Sequence, residues 1–156
     1  MLKAVVKTTA LLIACLAQAQ AAIAINSARI WPAQDYTRLT IESKQAIRHN
    51  MFRVDNPKRL VIDLENIESA DHLIELAKKI SSNDPYIASV RVGKFKPTVT
   101  RLVLDLKSDV KPQLFDLKPV GDYDYRLVLD IYPMLPPDPM MALLELPVVV
   151  AASAPT

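Results

Sequence analysis

Arginine and aspartate recur four residues apart in this chain. Residues 59–64 read Arg-Leu-Val-Ile-Asp-Leu, residues 101–106 Arg-Leu-Val-Leu-Asp-Leu and residues 126–131 Arg-Leu-Val-Leu-Asp-Ile. A looser copy, Arg-Leu-Thr-Ile-Glu, occupies residues 38–42. Guanidinium groups meet carboxylates through paired hydrogen bonds, and carboxylates accept hydroxyl hydrogens, so such a set could build a polar platform for sugars and acids. It could equally form a ladder of ion pairs across a sheet, each exposed pair worth less than about 1 kcal/mol. The candidate binding residues on either reading are Arg59, Asp63, Arg101, Asp105, Arg126 and Asp130, with Arg29 and Arg91 as a matched pair one strand earlier.

Other chemistry is sparse. His49 and His72 stand apart from any His-Glu-x-x-His spacing and are expected to be solvated surface side chains. No nucleophile motif, glycine-rich phosphate loop or paired-cysteine zinc pattern occurs, so no catalytic residue, metal or cofactor is expected. Lys3 and Lys7 account for the whole excess of 19 basic over 17 acidic residues, and the remainder is neutral. A nucleic-acid partner held by bulk charge is therefore not expected.

The repeats must be positioned by strands. Leu60, Ile62 and Leu64 alternate with Arg59, Val61 and Asp63, which marks a strand buried on one face, and the other copies divide likewise. The copies also pair into an internal duplication. Arg38 precedes Arg101 by 63 residues and Arg59 precedes Arg126 by 67. Ser27-Ala28-Arg29-Ile30 matches Ser89-Val90-Arg91-Val92, and Met51-Phe52 matches Leu114-Phe115. Each half, 26–66 and 87–133, is expected to be a small β-meander. Between them the period changes: Leu73, Ile74, Leu76, Ala77 and Ile80 fall at helical spacing, which predicts an amphipathic helix over 69–81 with Ser69 as a possible N-cap. A connection is expected at 93–97, and most turns must use Pro, Asn and Asp because the chain has only two glycines. The expected fold is mainly β, with two similar, internally duplicated antiparallel sheets packed as a sandwich and one linking helix.

The first 24 residues have a basic start, a short apolar stretch and small residues ending at Ala21 and Ala24, the pattern of a secretory signal peptide. Cleavage is expected near Ala24, with export to the periplasm and no integral membrane span afterwards. An uncleaved anchor is the lesser alternative, as is a lipoprotein matured at Cys15, the single cysteine. Residues 134–156 are proline-rich and read as a linker or truncated tail, in which 140–146 could dock on a partner.

Four stretches together resemble a known family: residues 27–40 (Ser-Ala-Arg-Ile-Trp-Pro-Ala-Gln-Asp-Tyr-Thr-Arg-Leu-Thr), 56–64 (Asn-Pro-Lys-Arg-Leu-Val-Ile-Asp-Leu), 90–97 (Val-Arg-Val-Gly-Lys-Phe-Lys-Pro) and 126–133 (Arg-Leu-Val-Leu-Asp-Ile-Tyr-Pro). They look like the AMIN domain, the non-catalytic N-terminal module of periplasmic N-acetylmuramoyl-L-alanine amidases of Gram-negative bacteria. The resemblance covers residues 25–133. It implies two symmetric sheets exposing the repeats, peptidoglycan as ligand, and delivery of an amidase to the division septum. The zinc amidase domain such enzymes carry is missing, so a fragment or truncated product without hydrolytic activity is expected. Residues 1–24 contain no arginine, which fits a Sec-type rather than a twin-arginine route. The alternative function is a docking module for envelope proteins of the division or secretion machinery.

Overall fold

The computed structural model describes residues 21–80, 82–134 and 140. The chain forms β1 (Ile25–Pro32), β2 (Thr37–Ser43), β3 (His49–Val54), β4 (Arg59–Glu65), α1 (Asp71–Lys78), β5 (Ile87–Lys96), β6 (Val99–Leu106), β7 (Val110–Leu117) and β8 (Tyr125–Pro133). Two four-stranded antiparallel sheets result, ordered β1-β2-β8-β7 and β3-β4-β6-β5. The alternation of leucine with polar residues decides their inner faces. Leu39, Ile41, Leu127, Leu129 and Ile131 of the first sheet share one core with Leu60, Ile62, Leu64, Leu102 and Leu104 of the second.

The expected meander within each half is corrected. β2 does not pair with β3, and β6 does not pair with β7. Each half instead gives its first hairpin to one sheet and its second to the other, so every sheet is completed by the opposite half. Exchanging β1–β4 with β5–β8 maps one sheet order onto the other, and the duplication becomes a pseudo-twofold relation between sheets. Even the bulges recur, between Ile25 and Ser27 in β1 and between Ile87 and Ser89 in β5.

The expected connection at 93–97 is also corrected. β5 continues through Gly93-Lys94-Phe95-Lys96, with Lys94 opposite Thr100 and Lys96 opposite Val99, so the turn is confined to Pro97 and Thr98. Asn56, Asn66 and Gly121 take positive φ of 56°, 55° and 59°, asparagine standing in for the scarce glycine at two of the three.

The helix α1 packs against β1 and β5, an edge strand of each sheet, and so covers one open side of the sandwich. Leu73 and Leu76 are buried, and Ala77 and Ile80 pack against the core, but Ile74 is 40% exposed. A stripe wide enough to include Ile74 would need a flat sheet surface, whereas a helix lodged between two edges buries only the narrower seam. Ser69 makes no N-cap bond of the usual reach; its Oγ accepts from the Asp71 amide at 3.2 Å, and the cap position is Ala70. Beyond the helix, the buried Asp84 carboxylate accepts from Thr37 Oγ and from the amides of Tyr86 and Ile87, tying the entry of the second half to β2. On the opposite side, edge strands β3 and β7 are joined by the Arg53 guanidinium donating to the Val110 carbonyl.

This geometry gives a direct test by urea unfolding. Leu76→Ala should cost about 3 kcal/mol through lost burial and the cavity left behind, while Ile74→Ala should change stability by no more than about 0.5 kcal/mol. Equal losses would show that α1 buries the wider face.

Candidate functional site

The second sheet shows how the repeats assemble. Antiparallel pairing of β4 and β6 sets Arg59 opposite Asp105 and Asp63 opposite Arg101, so two copies of the same spacing complement each other. Alternation sends all four side chains outward, away from the leucines. Arg101 donates from Nε and Nη2 to the two oxygens of Asp63 at 2.7 and 2.8 Å. Arg59 Nε donates to Asp105 at 2.9 Å, and Asp105 also accepts from Ser89 Oγ at 2.6 Å and from Arg91 at 3.0 and 3.2 Å. Phe95 and Phe52 flank the Arg101 guanidinium, 3.5 and 5.4 Å from it. This face is internally satisfied.

The first sheet repeats the register with a different outcome. Arg38 faces Asp130 and Glu42 faces Arg126. Arg38 forks onto Asp130 with two bonds of 2.6 Å, and Asp130 is only 2% exposed. Tyr36 and Tyr132 pack beside this pair, their rings 5.3 Å apart. At the other pair of positions no ion pair closes among the described residues. The Arg126 guanidinium lies 4.6 Å over the Tyr123 ring, and its buried Nε has no hydrogen-bond partner. Arg29, Trp31, Glu42, Tyr123 and Arg126 border an open cavity of about 280 Å³. Trp31 and Tyr123 are 72% and 56% exposed.

The eight expected residues therefore do not form one site. Arg59, Asp63, Arg91, Arg101 and Asp105 share one outer face; Arg29, Arg126 and Asp130 share the other. Arg38, Glu42, Trp31 and Tyr123 were not among the expected site residues. The fourth repeat copy pointed to the first two, and Trp31 lies two strand positions beyond Arg29, on the same face. Tyr123 sits in the turn before β8, where nothing in the pattern signals it. His49 departs from its expected solvated state: it is half-buried, with Nδ1 2.9 Å from the Ile47 carbonyl and 3.8 Å from Asp116, while His72 is exposed. Among the described residues no group of three or more His, Cys, Asp or Glu side chains is placed to hold a metal ion.

A family model for the AMIN domain matches residues 27–131. The chain belongs to the AMIN domain family. It is also 48% identical over 122 residues to the N-acetylmuramoyl-L-alanine amidase AmiC of Neisseria meningitidis serogroup B, covering 77% of this chain and 29% of that protein. To the N-acetylmuramoyl-L-alanine amidase AmiC of Escherichia coli O6:H1 it is 44% identical over 124 residues, covering 78% of this chain and 30% of that protein. The chain thus spans about three-tenths of the length of these relatives.

In this AMIN domain the closed face also shapes titration. Hydrogen bonding from Arg101 holds the Asp63 carboxyl below its ordinary range, against the opposing effect of burial. Burial pushes Asp105 up, but the hydrogen bonds from Ser89, Arg91 and Arg59 outweigh it and leave that carboxyl lowered too. With folded values below the unfolded value of about 4, both carboxylates contribute their full stabilisation at neutral pH and lose it as pH falls through the folded values. Thermal melts should be level between about pH 7 and 5 and decline below about pH 4. The Asp63→Asn/Asp105→Asn variant should melt lower at neutral pH and decline less steeply in acid. An acid limb identical to that of the unaltered domain would show that these pairs add nothing to stability.

Proposed function

We propose that this AMIN domain is a non-catalytic peptidoglycan-binding module that holds a cell-wall amidase at the division septum in the periplasm. The observation that carries the reading is the pair of outward faces built from one repeated Arg/acid motif, on a domain whose sequence recurs in two proteins named as amidases. Guanidinium forks and carboxylates suit a ligand rich in acids, amides and hydroxyls. Aromatic rings at Trp31, Tyr123 and Phe95 supply flat apolar surface beside them. The charge balance outside the first segment is neutral, so the contact depends on local geometry and not on bulk attraction. On this reading the activity in the relatives' names belongs to the part of those proteins that this chain does not span. The docking alternative placed on residues 140–146 falls outside the described residues apart from Met140.

The protein without its leader should co-sediment with purified murein sacculi at low salt. Recovery in the supernatant would remove the wall-binding reading, and capture by envelope extract after muramidase digestion would favour a protein partner.

Export through the Met1 segment belongs to the same proposal. Residues 1–20, with the apolar stretch and Cys15, lie outside the described residues. No described helix is long and apolar enough to cross a membrane. Of the two cleavage positions that the small residues offer, the fold supports Ala21 over Ala24. Ile23 is 7% exposed within the core, donates its amide to the Asn66 carbonyl at 2.7 Å and accepts from the Glu68 amide at 2.9 Å. Cleavage after Ala24 would discard that side chain, whose burial stabilises by about 2 kcal/mol. Intact-mass analysis of exported protein should give an N-terminus at Ala22, and a chain starting at Ile25 should unfold at lower urea. An N-terminus at Ile25 with undiminished stability would overturn this assignment.

A further inference from the structure

The two outer faces carry the same cluster in different states. In the second sheet Ser89, Arg91 and Arg59 all converge on Asp105. By the duplication, the matching residues of the first sheet are Ser27, Arg29, Arg126 and, in place of the aspartate, Glu42. Register confirms the match, since Ser27 faces Glu42 and Glu42 faces Arg126 just as Ser89 faces Asp105 and Asp105 faces Arg59. An aspartate keeps its carboxylate close to the strand, between donors on both neighbouring strands. Glu42 is one methylene longer, and no ion pair joins it to Arg29 or Arg126 among the described residues. Tyr123 then occupies the Arg126 guanidinium from one side.

The result is a polar cluster left open where its twin is closed. Arg126 Nε is buried without an acceptor, and buried donors of this kind are uncommon in folded proteins unless something else meets them. Three guanidinium groups line the cavity beside it; Arg38 is taken up by Asp130, which leaves Arg29 and Arg126 against one carboxylate, Glu42, under an exposed indole. Two cations and one anion have no counterpart in a neutral sugar. They match a ligand with a carboxylate for the arginines and an ammonium or amide hydrogen for Glu42, whose aliphatic portion rests on Trp31.

Resting on the wall-binding reading, we infer that the Arg29–Glu42–Arg126 cavity is the recognition site and that it takes a carboxylate-bearing amino acid of the peptidoglycan stem peptide, not the glycan strand. The twin cluster around Asp105 is a structural buckle that no ligand needs to open.

The test is displacement of the leaderless protein from intact sacculi by two soluble competitors, free stem peptide and peptide-free glycan chains whose lactyl carboxyl groups are capped as simple amides so that the glycan is neutral. Stem peptide is expected to release the protein and glycan chains to leave it bound. Arg126→Ala and Glu42→Gln should each weaken sacculus binding at least tenfold. Arg29→Ala, on an exposed side chain, should weaken it as well and guards against a loss of folding in Arg126→Ala. Release by glycan chains alone, or full binding by all three variants, would overturn the inference while wall binding stands. Failure of the unaltered protein to sediment with sacculi would overturn the wall-binding reading and the inference together.

Discussion

An arginine four residues ahead of an acid is its own complement when two such strands run antiparallel. Each arginine then faces the other strand's acid, and the leucines between them all face one way. That single constraint fixes the central pairing of both sheets, β2 with β8 and β4 with β6. A slip by one residue would turn the leucines to water and the charges to the core, so the polar complement and the apolar face select the same register. Everything else is arranged around these two central pairs, with β1 and β7 flanking one and β5 and β3 the other.

Because the complementary copies come from opposite halves, neither half can satisfy its own motif. Within the first half the two copies, on β2 and β4, belong to different sheets, and the core between them is filled by leucines of both. The connection between halves must therefore cross the open side of the sandwich. The helix α1 does so with Leu73 and Leu76, and the buried Asp84 fixes the chain against Thr37 as it enters β5. Long-range pairing of this kind makes the domain one cooperative body, not two repeats side by side.

The same symmetry makes its breakage legible. Three of the four cross-strand Arg/acid positions close into ion pairs; the fourth, where the acid is Glu42, stays open beside Trp31 and Tyr123. The two acids at this matched position, Glu42 and Asp105, differ by one methylene, and only Asp105 is drawn into ion pairs. The closed face keeps its carboxylates lowered in pKa and its guanidinium groups occupied, which suits stability; the open one keeps unspent hydrogen-bonding capacity.

Alternation and repeat spacing by themselves determined the strands, the inward leucines, the outward arginines and acids and the linking helix, because those are local or periodic properties of the chain, while the AMIN resemblance rested on four particular stretches of sequence. The exchange of hairpins between halves was not determined there. Strand pairing is decided by which copies can meet across the core, and two halves with equal motifs fit a meander as well as an exchange on periodicity alone. Nor did the pattern distinguish Glu42 from Asp105, since both satisfy the same spacing. Only the tertiary structure, which sets the reach of each carboxylate against donors on two neighbouring strands and brings Tyr123 from a turn onto Arg126, decided which copies of the motif hold the fold together and which is left open.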